Sequence, residues 1–126
     1  MVELLEDISE VIGFTSDRPN LKNSYLYTFD KNKLSPSDEC YVMRDDNFKI
    51  VAALLYNVKI KEINLVISNI PGYGITLIKY ILNKYKTVTL FCKNNLVWYY
   101  EELGFNLIED GAYCEMKYKK EIHEED

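Results

Sequence analysis

The chain has 126 residues, with 15 lysine and arginine residues against 20 aspartate and glutamate residues, and a formal net charge of -5. This length predicts a single domain over residues 1–126, and the share of 48% hydrophobic residues is typical of a globular protein. The sequence contains no apolar run of membrane-spanning length, no CxxC spacing among its three cysteines and no basic stripe. These features argue against a membrane protein, a disulfide framework, a zinc site and a nucleic-acid partner, and favour a cytoplasmic protein.

The N-terminal third has weak patterns. Residues 2–12 place apolar side chains at helical spacing, with acidic residues in the first turns, and this predicts an amphipathic helix that stops at Gly13. Turn-forming residues predict loops at 14–23 and 30–39, on either side of a short strand at 24–29.

A three-stranded antiparallel meander is predicted next, over residues 41–44, 49–56 and 62–68, with a turn at Asp45-Asp46-Asn47. Apolar residues then recur every three or four positions over 75–85, which predicts a helix with one apolar stripe. That stripe consists of Ile75, Ile78, Ile81, Leu82 and Tyr85.

The remaining elements are a strand at 87–92, a helix at 95–103 that ends at Gly104, and strands at 105–109 and 112–118 around the hairpin signal Asp110-Gly111. The apolar stripe of the helix at 95–103 consists of Leu96, Tyr99, Tyr100 and Leu103. The order from residue 41 is therefore β-β-β-α-β-α-β-β, an α/β or α+β domain built on a mixed sheet flanked by helices. The β-α-β step across 62–92 is predicted to be parallel and right-handed. The tail at 119–126 is highly charged.

Residues 68–75 join a strand directly to a helix and contain Gly72 and Gly74. Such a loop can turn several backbone N–H groups towards one anion at the positive end of a helix. It can equally be a turn that needs glycine for its geometry alone. The pattern leaves both interpretations open.

The second segment that stands out is Tyr99-Tyr100-Glu101-Glu102-Leu103-Gly104-Phe105. It closely resembles the signature of the GCN5-related N-acetyltransferases (GNAT family), in which an asparagine is followed by (Phe/Leu)-Tyr-Glu-x-Leu-Gly-Phe. Residues 69–74 resemble the pyrophosphate loop of that family, Arg/Gln-x-x-Gly-x-Gly/Ala. The resemblance covers about 41–118, and the first 40 residues would form the variable region that shapes the acceptor pocket.

The resemblance implies a cytoplasmic enzyme that binds acetyl-CoA and transfers its acetyl group directly to an amine of a small molecule or a protein. It implies that Tyr100 protonates the departing thiolate, and the acid at Glu62 is the candidate general base. Backbone groups of strand 62–68 would polarise the thioester carbonyl. The implied acetyl-CoA contacts are Val66, Ile67, Ser68, Asn69, Ile70, Gly72, Tyr73, Gly74, Ile75, Asn95 and Tyr99.

Three positions depart from the family pattern. Asn69 stands where the motif has Arg or Gln, Pro71 removes a backbone donor from the loop, and Lys93 stands where the asparagine is usual. These departures motivate a second hypothesis, a catalytically inactive GNAT-fold protein that binds a protein or a ligand. A homodimer is a further expectation, with strand 112–118 as an edge strand that could pair between subunits.

Overall fold

The computed structural model of this chain describes residues 1–7, 10–11, 14 and 36–120. They fall into two compact units, one ending at Ile78 and the other beginning at Lys79. The predicted strand at 24–29, the predicted helix end at Gly13 and the tail from residue 121 lie outside the described residues. The predicted loop at 14–23 is wrong at its first residue, because Phe14 is helical.

The first unit is a four-stranded antiparallel sheet. Its strands are β1 (Glu3–Leu4), β2 (Asp38–Arg44), β3 (Ile50–Asn57) and β4 (Glu62–Ser68), in that spatial order. The predicted meander is confirmed, although β2 begins three residues before Tyr41, inside the predicted loop at 30–39.

Polar side chains build the two tight turns of this meander. The Asp45 carboxylate accepts hydrogen bonds from the backbone N–H groups of Asn47 (2.8 Å) and Lys49 (3.0 Å), which closes the predicted turn between β2 and β3. The side-chain oxygen of Asn57 accepts from the N–H of Lys59 (3.0 Å) and of Ile60 (3.1 Å) between β3 and β4.

The prediction of a helix over 2–12 is wrong for its first residues. Glu3 and Leu4 form a strand that pairs with β2, and the N–H of Leu5 donates to the carbonyl of Cys40 (2.9 Å). Glu10 and Val11 are helical, as expected. The edge of β2 offers backbone partners to residues 3–5, and this tertiary pairing overrides an apolar spacing that suits both structures.

One face of this sheet carries a buried cluster that consists of Leu5, Val11, Cys40, Val42, Ala53 and Leu55. Leu65 and Ile67 of β4 pack against this cluster. Tyr41 and Tyr56 are almost wholly buried as well, so part of the tyrosine content serves packing.

Helix α1 (Tyr73–Lys84) follows β4, and the division between the two units falls within it. It starts two residues before the predicted helix, and Leu77, Ile78, Ile81 and Leu82 are its buried side chains. Leu77 is outside the predicted stripe, whereas Ile75 within that stripe is only half-buried.

The second unit contains β5 (Thr87–Lys93), a 3-10 turn (Asn94–Leu96), α2 (Val97–Glu102), β6 (Asn106–Glu109) and β7 (Tyr113–Lys119). The three strands are antiparallel in the order β5-β7-β6. The predicted hairpin is confirmed.

Two predictions for this unit need correction. The helix expected at 95–103 is divided into a 3-10 turn and a short α-helix, and Leu96 is exposed rather than part of a buried stripe. β7 is not an edge strand, because it lies between β5 and β6, and it therefore offers no open edge for dimerisation.

The element order β-β-β-α-β-α-β-β from residue 38 confirms the α+β class. The parallel, right-handed step from β4 to β5 stays a prediction. In the described part of the chain, no helix combines the length and the apolar character that crossing a membrane requires.

Candidate functional site

The junction between β4 and α1 satisfies some of its backbone hydrogen-bonding groups internally. The N–H of Asn69 donates to the carbonyl of Val51 (2.8 Å), and the N–H of Ile70 donates to the Ser68 hydroxyl (3.0 Å). The same hydroxyl donates to the carbonyl of Ile70 (2.6 Å). These bonds hold the chain in one conformation as it leaves the sheet, and they use the first two N–H groups of the predicted anion loop.

The following residues leave backbone donors unused. Gly72 has a φ of 89°, a conformation that glycine adopts at little cost, and an added Cβ would meet no atom within 4 Å. The carbonyl of Gly72 accepts from the backbone N–H (3.1 Å) and the hydroxyl (3.0 Å) of Thr76. Among the described residues, the N–H groups of Gly72, Gly74 and Ile75 have no hydrogen-bond acceptor.

These three donors lie at the positive end of a helix of 12 residues whose first turn contains no acid. An anion there would accept hydrogen bonds from N–H groups that the protein itself does not satisfy. Pro71 contributes none, as the sequence indicates. The loop therefore has the donors that a phosphate group needs, supplied by Gly72, Gly74 and Ile75 rather than by Asn69 or Ile70.

The predicted contacts on β4 divide between its two faces. Val66 and Ser68 lie beside α1, because a methyl group on Gly74 would sit 3.8 Å from Val66 Cγ2 and 4.0 Å from Ser68 Cβ. Ile67 points to the other face and packs against the buried cluster of the first unit. For the predicted cofactor contact, Ile67 therefore offers its backbone atoms. Tyr73, another predicted contact, is half-buried and is the first residue of α1.

Glu62 lies at the opposite end of β4 from the loop. It is half-buried and pairs in register with Asn57. At a rise of roughly 3.3 Å per residue, the strand separates Glu62 from Ser68 by about 20 Å. The structure therefore does not bring the candidate base and the anion loop together.

In the second unit, the sequence Tyr100–Phe105 builds a Schellman C-cap. Gly104 has a φ of 103° and its N–H donates to the carbonyl of Glu101 (3.0 Å), while the N–H of Phe105 donates to the carbonyl of Tyr100 (3.0 Å). The rings of Tyr100 and Phe105 meet edge to face with centroids 5.7 Å apart, which is the apolar contact that accompanies this cap. The Leu-Gly-Phe part of the motif thus fixes Tyr100 through backbone and ring contacts together.

The Tyr100 side chain is 8% exposed and lies edge-on to Tyr99, with ring centroids 5.1 Å apart. Among the described residues, its hydroxyl has no hydrogen-bond partner. Burial raises the pKa of Tyr100 to about 12, and the nearby Tyr99 and Cys92 add to this rise. The phenol therefore keeps its proton at neutral pH, and an acceptor brought to it would satisfy a buried donor.

The residues just before α2 are more exposed to solvent than Tyr100. Lys93, Asn94 and Asn95 line a cleft of about 440 Å³ together with Ala112 and Tyr113. The register of β5 and β7 produces this cleft, since Lys93 pairs with Tyr113. The sequence singled out Asn95 but missed Ala112 and Tyr113, because only strand pairing brings them there.

The described residues contain no cluster of three or more histidine, cysteine, aspartate or glutamate side chains suited to a metal ion.

Comparison with solved structures identifies the fold. An acyl-CoA N-acyltransferase from Pseudomonas aeruginosa superposes with a TM-score of 0.74 at 15% identity, over 94% of this chain and 99% of that chain. GCN5 from Tetrahymena superposes with a TM-score of 0.65 at 13% identity, over 96% of each chain. This chain has the GNAT fold.

A variant of the spermidine N-acetyltransferase SpeG from Vibrio cholerae has the same GNAT fold, with a TM-score of 0.67 at 17% identity, over 94% of each chain. No protein-family model and no curated protein matches the sequence. The likeness to these structures therefore lies in the fold, and it supports the resemblance drawn from Gly72, Gly74 and the segment from Tyr100 to Phe105.

Proposed function

We propose that this chain is an acyl-CoA-dependent N-acetyltransferase that transfers an acetyl group from acetyl-CoA to an amine. The observation that carries the proposal is the set of three N–H groups, on Gly72, Gly74 and Ile75, that find no acceptor among the described residues, at the start of a helix in a GNAT fold. Acetyl-CoA would supply an activated thioester and an anionic pyrophosphate. The residues present fit the pyrophosphate, because the helix start offers donors and has no acid in its first turn.

The residues of β4 complete the proposed cofactor contacts. Val66 and Ser68 lie beside Gly74, and backbone groups of Val66 and Ile67 would orient the cofactor through hydrogen bonds along the strand. In the second unit, Asn95 and Tyr99 are the proposed contacts. Asn95 is exposed and Tyr99 half-buried, so each has surface for a ligand to reach.

Tyr100 is the proposed proton donor to the departing thiolate. Its hydroxyl is buried and has no partner in the described part of the chain, so it gains its hydrogen bond when negative charge develops on the leaving sulfur. A contact that forms fully only at that stage stabilises the transition state more than the ground state. The raised pKa of Tyr100 keeps the proton on the phenol until then.

We propose that Glu62 accepts the proton of the amine. A half-buried carboxylate at a strand end is suited to this role, and the net charge of -5 favours a cationic amine over an anionic one. The similarity in fold to a spermidine N-acetyltransferase makes a polyamine a suitable first acceptor to assay. A cytoplasmic location and the absence of nucleic-acid partners remain parts of this proposal.

A calorimetric titration of the full chain with acetyl-CoA tests the proposal. Gly72→Ala forces a side chain into a positive φ at the loop, whereas Gly74→Ala places a methyl group at ordinary contact distance inside a helix. We expect wild type and Gly74→Ala to bind acetyl-CoA with affinities within about threefold of each other, and Gly72→Ala to bind at least tenfold more weakly. Failure of the wild type to bind at millimolar acetyl-CoA would contradict the proposal.

A second candidate function is a catalytically inactive GNAT-fold protein that acts by binding. The loop itself favours it: Asn69 is exposed where the motif has Arg or Gln, and the N–H of Ile70 is used by Ser68. An acetyl-transfer assay of the full chain with a polyamine separates the two candidates, because the second function requires no acetyl transfer to any amine, even if acetyl-CoA binds.

A further inference from the structure

Two cysteines face each other across neighbouring strands of the second unit. Cys92 of β5 lies directly opposite Cys114 of β7, and both side chains are buried and reduced. The N–H of Lys120 donates to the carbonyl of Lys86 (2.8 Å), a pair that continues the same register. Hydrogen-bonded and non-hydrogen-bonded pairs alternate along an antiparallel ladder, so Cys92 and Cys114, an even number of residues away, again form a hydrogen-bonded pair.

This pairing sets the distances between the two cysteines. A hydrogen-bonded antiparallel pair has its α-carbons about 5.5 Å apart, close to the usual value for a disulfide. Its β-carbons are at the wide end of the range for opposite residues, about 5.5 Å apart, roughly 1.7 Å more than the mean for a relaxed disulfide. A disulfide can therefore form only if the two strands draw closer at this pair, and the resulting strain makes it easy to reduce.

One member of the pair, Cys92, also lies near Tyr100. The Cys92 thiolate would be close enough to raise the pKa of the Tyr100 phenol, and Cys114 acts in the same way on the pKa of Cys92. On the other side, the Cys114 thiol contacts the Asp110 carboxylate (3.3 Å) and the Gly111 carbonyl (3.4 Å). A chemical modification of these two sulfur atoms would therefore alter the surroundings of both Tyr100 and the β6–β7 turn.

We propose that Cys92 and Cys114 form a redox modification site next to Tyr100. Exchange with a small-molecule disulfide oxidises the two thiols to a reversible cross-strand disulfide. One cysteine thiolate attacks a sulfur atom of the small disulfide, forms a mixed disulfide and releases one small thiol. The other cysteine thiolate then displaces the second small thiol. The two cysteines lose two electrons and two protons in total, and the two released thiols carry them.

Burial raises the pKa of Cys92 and keeps its thiolate population low, so the oxidation is slow in the closed structure. Opening of the β6–β7 hairpin supplies access, because every residue of β6 is exposed and its outer edge has no paired strand among the described residues. Oxidation removes the thiol donor from Asp110 and draws β5 and β7 together beside Tyr100. On the proposed transferase function, this change slows acetyl transfer.

Peptide mass spectrometry of the full chain after treatment with oxidised glutathione tests the site itself. We expect a Cys92–Cys114 cross-link with the loss of two hydrogen atoms, reversed by dithiothreitol. Cys40→Ala is the matched control: Cys40 is also buried and reduced, but it lies in the first unit opposite Leu55, and its removal should leave the cross-link in place. The proposal is overturned if the folded chain gives no such cross-link, or only glutathione adducts on single cysteines.

The functional consequence has its own readout. If acetyl transfer is established, the oxidised protein should turn over at least tenfold more slowly than the reduced one, and Cys114→Ala should be insensitive to oxidised glutathione. A cross-link that forms without changing the rate would overturn the link to Tyr100. If acetyl-CoA does not bind at all, the cross-link still tests the redox site, so the two failures are distinguishable.

Discussion

Tyr100 combines two properties that conflict in a purely structural residue. Its ring is well packed between Tyr99 and Phe105, yet its buried hydroxyl finds no partner among the described residues. A buried hydroxyl without a hydrogen bond costs about 1–3 kcal/mol, which phenylalanine at the same position would avoid. A cost of this kind is typical of functional sites, where stability is given up for chemistry.

Tyr100→Phe should therefore separate stability from activity. We expect the variant to be as stable as the wild type or more stable by about 1 kcal/mol in urea unfolding, because the ring contacts persist and the unsatisfied hydroxyl is gone. Acetyl transfer should fall by 10²-fold or more, with the dissociation constant of acetyl-CoA almost unchanged. An unchanged turnover would remove Tyr100 from the mechanism.

The stability of the folded chain at alkaline pH also depends on the burial of the Tyr100 phenol. The pKa of Tyr100 is raised from 10.0 to about 12, so its contribution to stability is fully present below pH 10 and is lost as the pH rises through 12. The thermal midpoint of the wild type should therefore fall more steeply between pH 9.5 and about 11.5 than that of Tyr100→Phe. Equal slopes for the two proteins would show that the phenol is solvated.

At the scale of the elements, Gly104 decides how α2 ends. An alanine there would need a φ of 103° and would place its methyl group 3.2 Å from Tyr118 Cε2. We expect Gly104→Ala to lose about 2 kcal/mol of stability, measured by urea unfolding, because the backbone strain and the ring contact act together. Gly74→Ala is the control and should cost less than about 0.5 kcal/mol, since its methyl group meets only ordinary contacts inside a helix.

Sequence patterns predicted these elements well where local chemistry determines them. The strand β4, the β6–β7 hairpin and the turn at Asp45 follow from a short apolar segment, the turn dipeptide Asp110-Gly111 and an aspartate side chain. The strand at Glu3–Leu4 was not predictable in the same way, because it depends on pairing with β2, which is far away in sequence. The exposure of Leu96 likewise follows from a 3-10 turn that the apolar spacing does not reveal.

At the scale of the whole molecule, the GNAT fold persists where overall sequence similarity does not. Structures at 13–17% identity superpose over more than nine-tenths of this chain, although no family model matches it. What remains recognisable in the sequence is local: Gly72, with its positive φ, and the Leu-Gly-Phe cap that fixes Tyr100. The sequence could not show which backbone donors are already used, since the bonds of Asn69 and Ile70 depend on β3 and on the rotamer of Ser68.

On the proposed function, the helix start after β4 binds the pyrophosphate of acetyl-CoA through backbone donors. An NMR titration of the ¹⁵N-labelled full chain with acetyl-CoA, following individual backbone amides, tests this binding. We expect large, saturable shifts of the amide resonances of Gly72, Gly74 and Ile75, while the amide resonance of Asn47 in the β2–β3 turn does not move. Saturable binding that leaves those three amides unchanged, or no binding at millimolar acetyl-CoA, would contradict this expectation.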